Sequence, residues 1–178
     1  MHDDPRLHHR RSIRLNGYDY RTGGCFFITV CTKNRESLFG DISNRTMKLN
    51  FFGKIADYTW RDLSNHNHHV IIDEYIFMPD HVHGIIVIDP YGVNAGAGSE
   101  PAPTFTVSTI FARNYHGLPE IIRQFKTYSA RRINEIRKTQ GTPVWQRNYY
   151  EHLIRNESAL KGIRRYIREN PKKWYYDK

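Results

Sequence analysis

The chain has 178 residues, with 27 Lys+Arg against 18 Asp+Glu, a formal net charge of +9 and a pI of about 9.6. With 39% hydrophobic and 13% aromatic residues a core can form, which excludes a fully disordered chain, and the length suits one domain. No run of about 18 apolar residues exists and the start, MHDDPRLHHRR, has no apolar stretch, so neither a membrane span nor a secretory signal is expected.

Residues 1–120 carry 12 Lys/Arg and 13 Asp/Glu, net −1, whereas residues 121–178 carry 15 and 5, net +10. An excess confined to the last third points to a polyanionic partner, of which nucleic acid is the commonest, or to solvated helix faces.

Residues 1–24 are polar and Arg-rich and read as a basic arm; residues 25–178 read as a single domain. Residues 25–31 (CFFITVC) form a short β-prone apolar run, a buried strand. Its Cys25 and Cys31 stand about 20 Å apart along an extended chain. That is too far for a disulfide, so free, buried thiols in a reducing cytoplasm are expected. Leu49, Phe52, Ile55, Ala56, Thr59 and Leu63 recur at helical spacing and predict an amphipathic helix over 46–64. Residues 69–77 read as a strand, Met78-Pro79-Asp80 as a break, and 81–88 (HVHGIIVI) as the second strand of a hairpin. Residues 89–116, rich in Gly and Pro, read as a long loop insertion. Pro119 opens a helix with a buried stripe of Ile122, Phe125, Ser129, Ile133 and Ile136, ended by Gly141-Thr142-Pro143. Residues 144–154 predict a fourth strand, Asn156 an N-cap, and 157–170 a last helix stopped before Pro171. The order β-α-β-β-α-β-α predicts an α+β, ferredoxin-like fold (split βαβ, RRM-like): an antiparallel sheet with helices on one face plus a C-terminal helix.

His81 and His83 share one face of their strand, where two imidazoles suit a divalent metal that draws a third ligand from elsewhere. Val82 points to the other face, and Gly84 lets a backbone or ligand come close. The pair equally fits two structural histidines. A rival cluster, His66, His68 and His69, sits in a polar stretch that reads as an exposed loop. On the last helix Leu160, Ile163 and Ile167 form the core stripe, flanked on one side by Tyr166 and Asn170 and on the other by Lys161, Arg164, Arg165 and Arg168. Asn170 can offer an amide oxygen to a hard cation, or serve as a C-cap before the proline.

Together, MPDHVHG after a strand, IIRQFK on a helix, VWQRNYYEHLIR and YIRENP resemble the REP-associated tyrosine transposases. These belong to the single-tyrosine HUH transposases, relatives of the transposases of small bacterial insertion sequences. GCFFITVCTKNR looks like the family's first strand; the resemblance runs from about residue 17 to 174, and the 89–116 insertion has no counterpart in its motifs. It implies that His81 and His83 hold Mg²⁺ or Mn²⁺ and that Tyr166 is the nucleophile. It implies too that Asn170, where many insertion-sequence relatives have glutamine, completes the metal site. It implies cleavage and rejoining of single-stranded DNA at hairpin or palindromic repeats through a 5′-phosphotyrosine, by a monomer or homodimer in the cytoplasm, at the nucleoid.

Arg123, Lys126, Arg131 and Arg132 would then contact backbone phosphates, and Arg10, Arg11 and Arg14 a groove of the hairpin stem. Tyr149 and Tyr150 are nucleophiles by residue type, but sit on the predicted strand. Two rival readings remain: a non-catalytic RRM-like nucleic-acid module, whose strand aromatics HVHGIIVI lacks, and a metal hydrolase using His81 and His83 without a covalent step. Because the histidine face points away from the core, His81→Ala is expected to harm metal binding far more than folding.

Overall fold

A computed structural model of the chain describes residue 18, residues 23–89 and residues 116–174. Arg10, Arg11 and Arg14 of the basic arm and residues 90–115 of the insertion lie outside the described residues.

Alternation builds β1 (Gly24–Cys31): Phe26, Ile28 and Val30 are fully buried on one face, while Cys25, Phe27, Thr29 and Cys31 lie half-buried on the other. Both cysteines are free thiols. β1 is a central strand of a four-stranded sheet ordered β4-β5-β1-β6, with β4 (Val70–Met78), β5 (His81–Ile88) and β6 (Tyr150–Ile154). Every pairing is antiparallel, as the ferredoxin-like plan requires. α1 (Phe51–Arg61) and α3 (Leu118–Arg137) cover the Phe26 face, where Trp60 meets Phe125 edge-to-face at 4.9 Å. α2 (Leu63–His66) is a single turn beside α1. The C-terminal helix, α4 (Glu157–Lys173), lies on the opposite face, setting Leu160, Ile163 and Ile167 against Phe27, Ile85 and Ile154. Among the described residues no helix is long and apolar enough to cross a membrane.

Three boundaries differ from the sequence reading. The helix predicted over 46–64 begins only at Phe51, capped by the Asn50 side chain, which accepts the Gly53 N–H at 2.9 Å. Its first residues belong instead to an unforeseen hairpin, β2 (Gly40–Ser43) and β3 (Thr46–Leu49). Asn44 and Arg45 both take positive φ (52° and 59°) there, the two-residue turn whose twist matches that of the strands. The fourth strand is confined to Tyr150–Ile154, because the carbonyls of Gln146, Arg147 and Asn148 turn to the Lys126 ammonium at 2.8, 3.3 and 2.9 Å. α4 runs through Pro171 to Lys173: a proline in the last turn forfeits a single amide hydrogen bond, and this one is buried.

A β-bulge between Ile72 and Tyr75 interrupts the β4–β5 register and presents Asp73 and Glu74 to α4. Arg164 grips Asp73 through two guanidinium nitrogens, Nε and Nη2, and Arg168 reaches Glu74 at 2.7 Å. Arg164 in turn holds the Asp73 carboxyl below the usual carboxylate range. These two contacts, one helical turn apart, fix where α4 lies along the sheet.

Candidate active site

His81 and His83 open β5 side by side on the face beneath α4, pairing across the sheet with Cys31 and Thr29. Each ring is anchored through Nδ1. His81 Nδ1 lies 2.5 Å from Asp80 Oδ1, and His83 Nδ1 lies 2.7 Å from Thr29 Oγ1. The two Nε2 atoms then converge at 3.0 Å, and the Tyr166 hydroxyl stands 3.3 Å from His83 Nε2.

The anchors set the tautomers. A carboxylate only accepts, so His81 donates from Nδ1 and turns an Nε2 lone pair toward His83. The Thr29 hydroxyl both donates and accepts. Without a cation, His83 donates Nε2–H to His81 and accepts from Thr29 at Nδ1. With a cation between the rings, His83 would donate Nδ1–H to Thr29 and turn its Nε2 lone pair to the ion. The 3.0 Å spacing is that of a hydrogen bond between the rings, and the same two nitrogens would be the ones to hold a divalent ion.

Among the described residues no three His, Cys, Asp or Glu side chains gather at one point. Tyr166, Asn170 and Trp174 succeed one another at four-residue spacing. The Tyr166 ring lies 5.2 Å from His83 and the Trp174 ring 5.9 Å from His81, and Asn170 stands between Tyr166 and Trp174 along the helix. Asn170 is 6% exposed, and its carboxamide makes no hydrogen bond among the described residues. It is not among the fully buried polar groups left without a partner, so the amide keeps some access from outside.

Thr29→Val should therefore lower Mn²⁺ affinity about 10- to 100-fold by titration calorimetry, while Thr29→Ser keeps it. Equal affinities for the two variants would refute the anchoring role.

Burial pushes the His83 imidazole down to about 3, with His81 and Arg35 acting in the same direction. Neutral imidazole is the form that binds metal. The consequence for stability is signed. Below the ordinary histidine pKa of about 6.5 the unfolded chain takes up a proton that the folded chain refuses. The metal-free protein should thus lose stability as pH falls from about 6.5 toward 3, by up to about 1.4 kcal/mol per pH unit from this group. Urea midpoints across that range should drop for the wild type and drop less steeply for His83→Asn.

The structure thus brings together Tyr166, His81 and His83, with Asn170 one helical turn beyond Tyr166. It covers the histidines more than the sequence suggested: they face away from the main core but are only 5% and 6% exposed. What approaches Gly84 is no ligand but the Trp60 indole, against which an added Cβ would lie at 2.5 Å. Arg123, Arg131 and Arg132 sit on α3, in the helix layer across the sheet from the histidines. There Arg123 pairs with Glu120, and Arg132 reaches Thr59 and lies over the Tyr58 ring. Lys126 is spent on the three loop carbonyls, and its burial lowers its pKa to about 8. Tyr149 packs toward the main core, whereas Tyr150 stays on the α4 side. Of the rival histidines, His66 contacts Asp62 at 3.1 Å and His69 the His116 carbonyl at 2.9 Å. Asp80 and Thr29 went unforeseen. Asp80 directly precedes His81, a signal that was available; Thr29 is tied to His83 only through strand register.

No family model matches the chain. It is 41% identical over 176 residues to a Haemophilus influenzae protein without an assigned role, spanning 96% of this chain and 93% of that one. It is 26% identical over 162 residues to a second Haemophilus influenzae protein, provisionally named a REP-associated tyrosine transposase, spanning 89% and 76%. A solved structure of a REP-associated tyrosine transposase bound to a REP hairpin aligns with a TM-score of 0.53 at 20% identity, over 85% of this chain and 68% of that one. At that identity the likeness establishes a shared fold.

Proposed function

We propose, from the likeness to the relative named a REP-associated tyrosine transposase and from the site geometry, that the chain belongs to that family and cleaves and rejoins single-stranded DNA at hairpin elements through a covalent bond to Tyr166. The observation that carries this reading is the Tyr166 hydroxyl, 3.3 Å from His83 Nε2 of its own chain, beside two imidazole nitrogens aimed at one point. The hairpin bound by the relative of known structure supports the choice of substrate.

A phenol is a poor nucleophile at neutral pH, so position has to supply much of the rate. α4 provides it: Ile163 and Ile167 are packed on the sheet, and the Arg164–Asp73 and Arg168–Glu74 contacts fix the helix lengthwise. Mg²⁺ or Mn²⁺ held by His81, His83 and Asn170 would act as a Lewis acid that offsets the charge of a phosphodiester. The Tyr166 oxygen attacks phosphorus, the bond from phosphorus to the 3′ oxygen breaks, and a 5′-phosphotyrosine and a 3′-OH result. The phenol loses one proton and the departing oxygen gains one. One phosphodiester replaces another, so the 3′-OH of a second strand can reverse the step without ATP.

The test is incubation with REP-type hairpin DNA and Mn²⁺, followed by a denaturing gel. A retarded protein–DNA species that EDTA abolishes is expected. Cutting without that species would identify a hydrolase, and binding without cutting a recognition module.

A further inference from the structure

Besides Tyr166, the α4 face of the sheet carries one more strongly exposed aromatic side chain among the described residues: Tyr150, 53% exposed, at the start of β6. β6 is an outer strand of its sheet. Tyr150 pairs with Thr29, and Thr29 with His83, so the three stand abreast on one face. Two strand spacings place the Cα atoms of Tyr150 and His83 about 10 Å apart. Phe27 fills the gap, its ring 5.4 Å from His83, 6.0 Å from Tyr166 and 6.2 Å from Tyr150. An aromatic floor therefore runs from the reactive hydroxyl to the open side of the sheet.

The charge beside that floor is unbalanced. Arg147 and Arg155 flank β6, both exposed and neither in an ion pair among the described residues. His152, also exposed, shares the face of Tyr150. The strand's carboxylate, Glu151, is buried and, by alternation, turned to the other face. On α4, by contrast, Arg164, Arg165 and Arg168 are each matched by an acid. Uncommitted cations beside an exposed ring suit a polyanion that carries unpaired bases; an apolar segment would gain nothing from them.

We propose that Tyr150 stacks an unpaired nucleobase of the strand whose phosphate lies at Tyr166, with Arg147 and Arg155 contacting its backbone; this rests on the reading of the site as one that acts on single-stranded DNA. Stacking needs the ring and not the hydroxyl. The probe is an end-labelled oligothymidylate of about twelve nucleotides and its abasic counterpart, followed by fluorescence anisotropy at one fixed salt concentration. Tyr150→Leu should bind the oligothymidylate about 5- to 150-fold more weakly than wild type, Tyr150→Phe should match wild type, and all three should bind the abasic strand alike. The proposal is overturned if wild type does not bind oligothymidylate, if Tyr150→Leu binds it as wild type does, or if the leucine variant loses as much on the abasic strand. The covalent-adduct assay, run on the same preparations, reports separately on cleavage. Adduct formation with unaltered Tyr150→Leu binding removes the platform and keeps the transesterase, and the opposite pattern removes the transesterase and keeps the platform.

Discussion

Tyr166→Phe should abolish the covalent protein–DNA adduct while hairpin affinity stays within about twofold of wild type. Among the described residues the hydroxyl makes one hydrogen-bond approach, 3.3 Å from His83 Nε2, and the residue is 41% exposed, so little stability rests on it. The ring contacts with Phe27 and His83 survive the substitution. Equal thermal midpoints for the two proteins would confirm that the loss is chemical. An adduct persisting in Tyr166→Phe would move the nucleophile elsewhere, with Tyr150 the next phenol on that face.

His81→Ala should eliminate Mn²⁺ binding in a calorimetric titration and also destabilise the protein by about 1–3 kcal/mol. The second effect departs from the expectation drawn from sequence. His81 is 5% exposed and donates to Asp80, whose side chain is 8% exposed, with Arg35 at 3.7 Å. Removing the imidazole withdraws a donor from a buried carboxylate and opens space beneath α4. Adding Asp80→Asn to the same chain should restore part of the stability and none of the ion binding. Wild-type Mn²⁺ affinity in His81→Ala would take the pair out of the metal site.

Much of this site could be read before any coordinates. His81 and His83 share a face because strands repeat every two residues, and Tyr166 and Asn170 because helices repeat near four; both periods act within one element. What joins elements was not accessible in the same way. Thr29 anchors His83 through a register 54 residues long in sequence, and Asp73 and Glu74 meet α4 through a bulge that no local pattern announces. The hairpin at Asn44-Arg45 escaped because an arginine with positive φ is an uncommon turn residue, and because Leu49 fell in phase with the helix that follows. The basic stripe on α3 was placed correctly on its helix, but which side of the sheet that helix covers depends on the chain's crossover.

β5 divides its residues between two duties. Val82, Gly84 and Ile86 fill the space beneath α1 and α3, Gly84 making way for the Trp60 ring, while His81 and His83 alternate with them on the opposite surface. A single inserted or deleted residue within 81–84 would exchange these roles, driving imidazoles into the tryptophan layer and aliphatic groups toward the tyrosine. The spacing of the two histidines is thus enforced by steric fit on the reverse side, and the strand can accept point changes far more readily than changes of length.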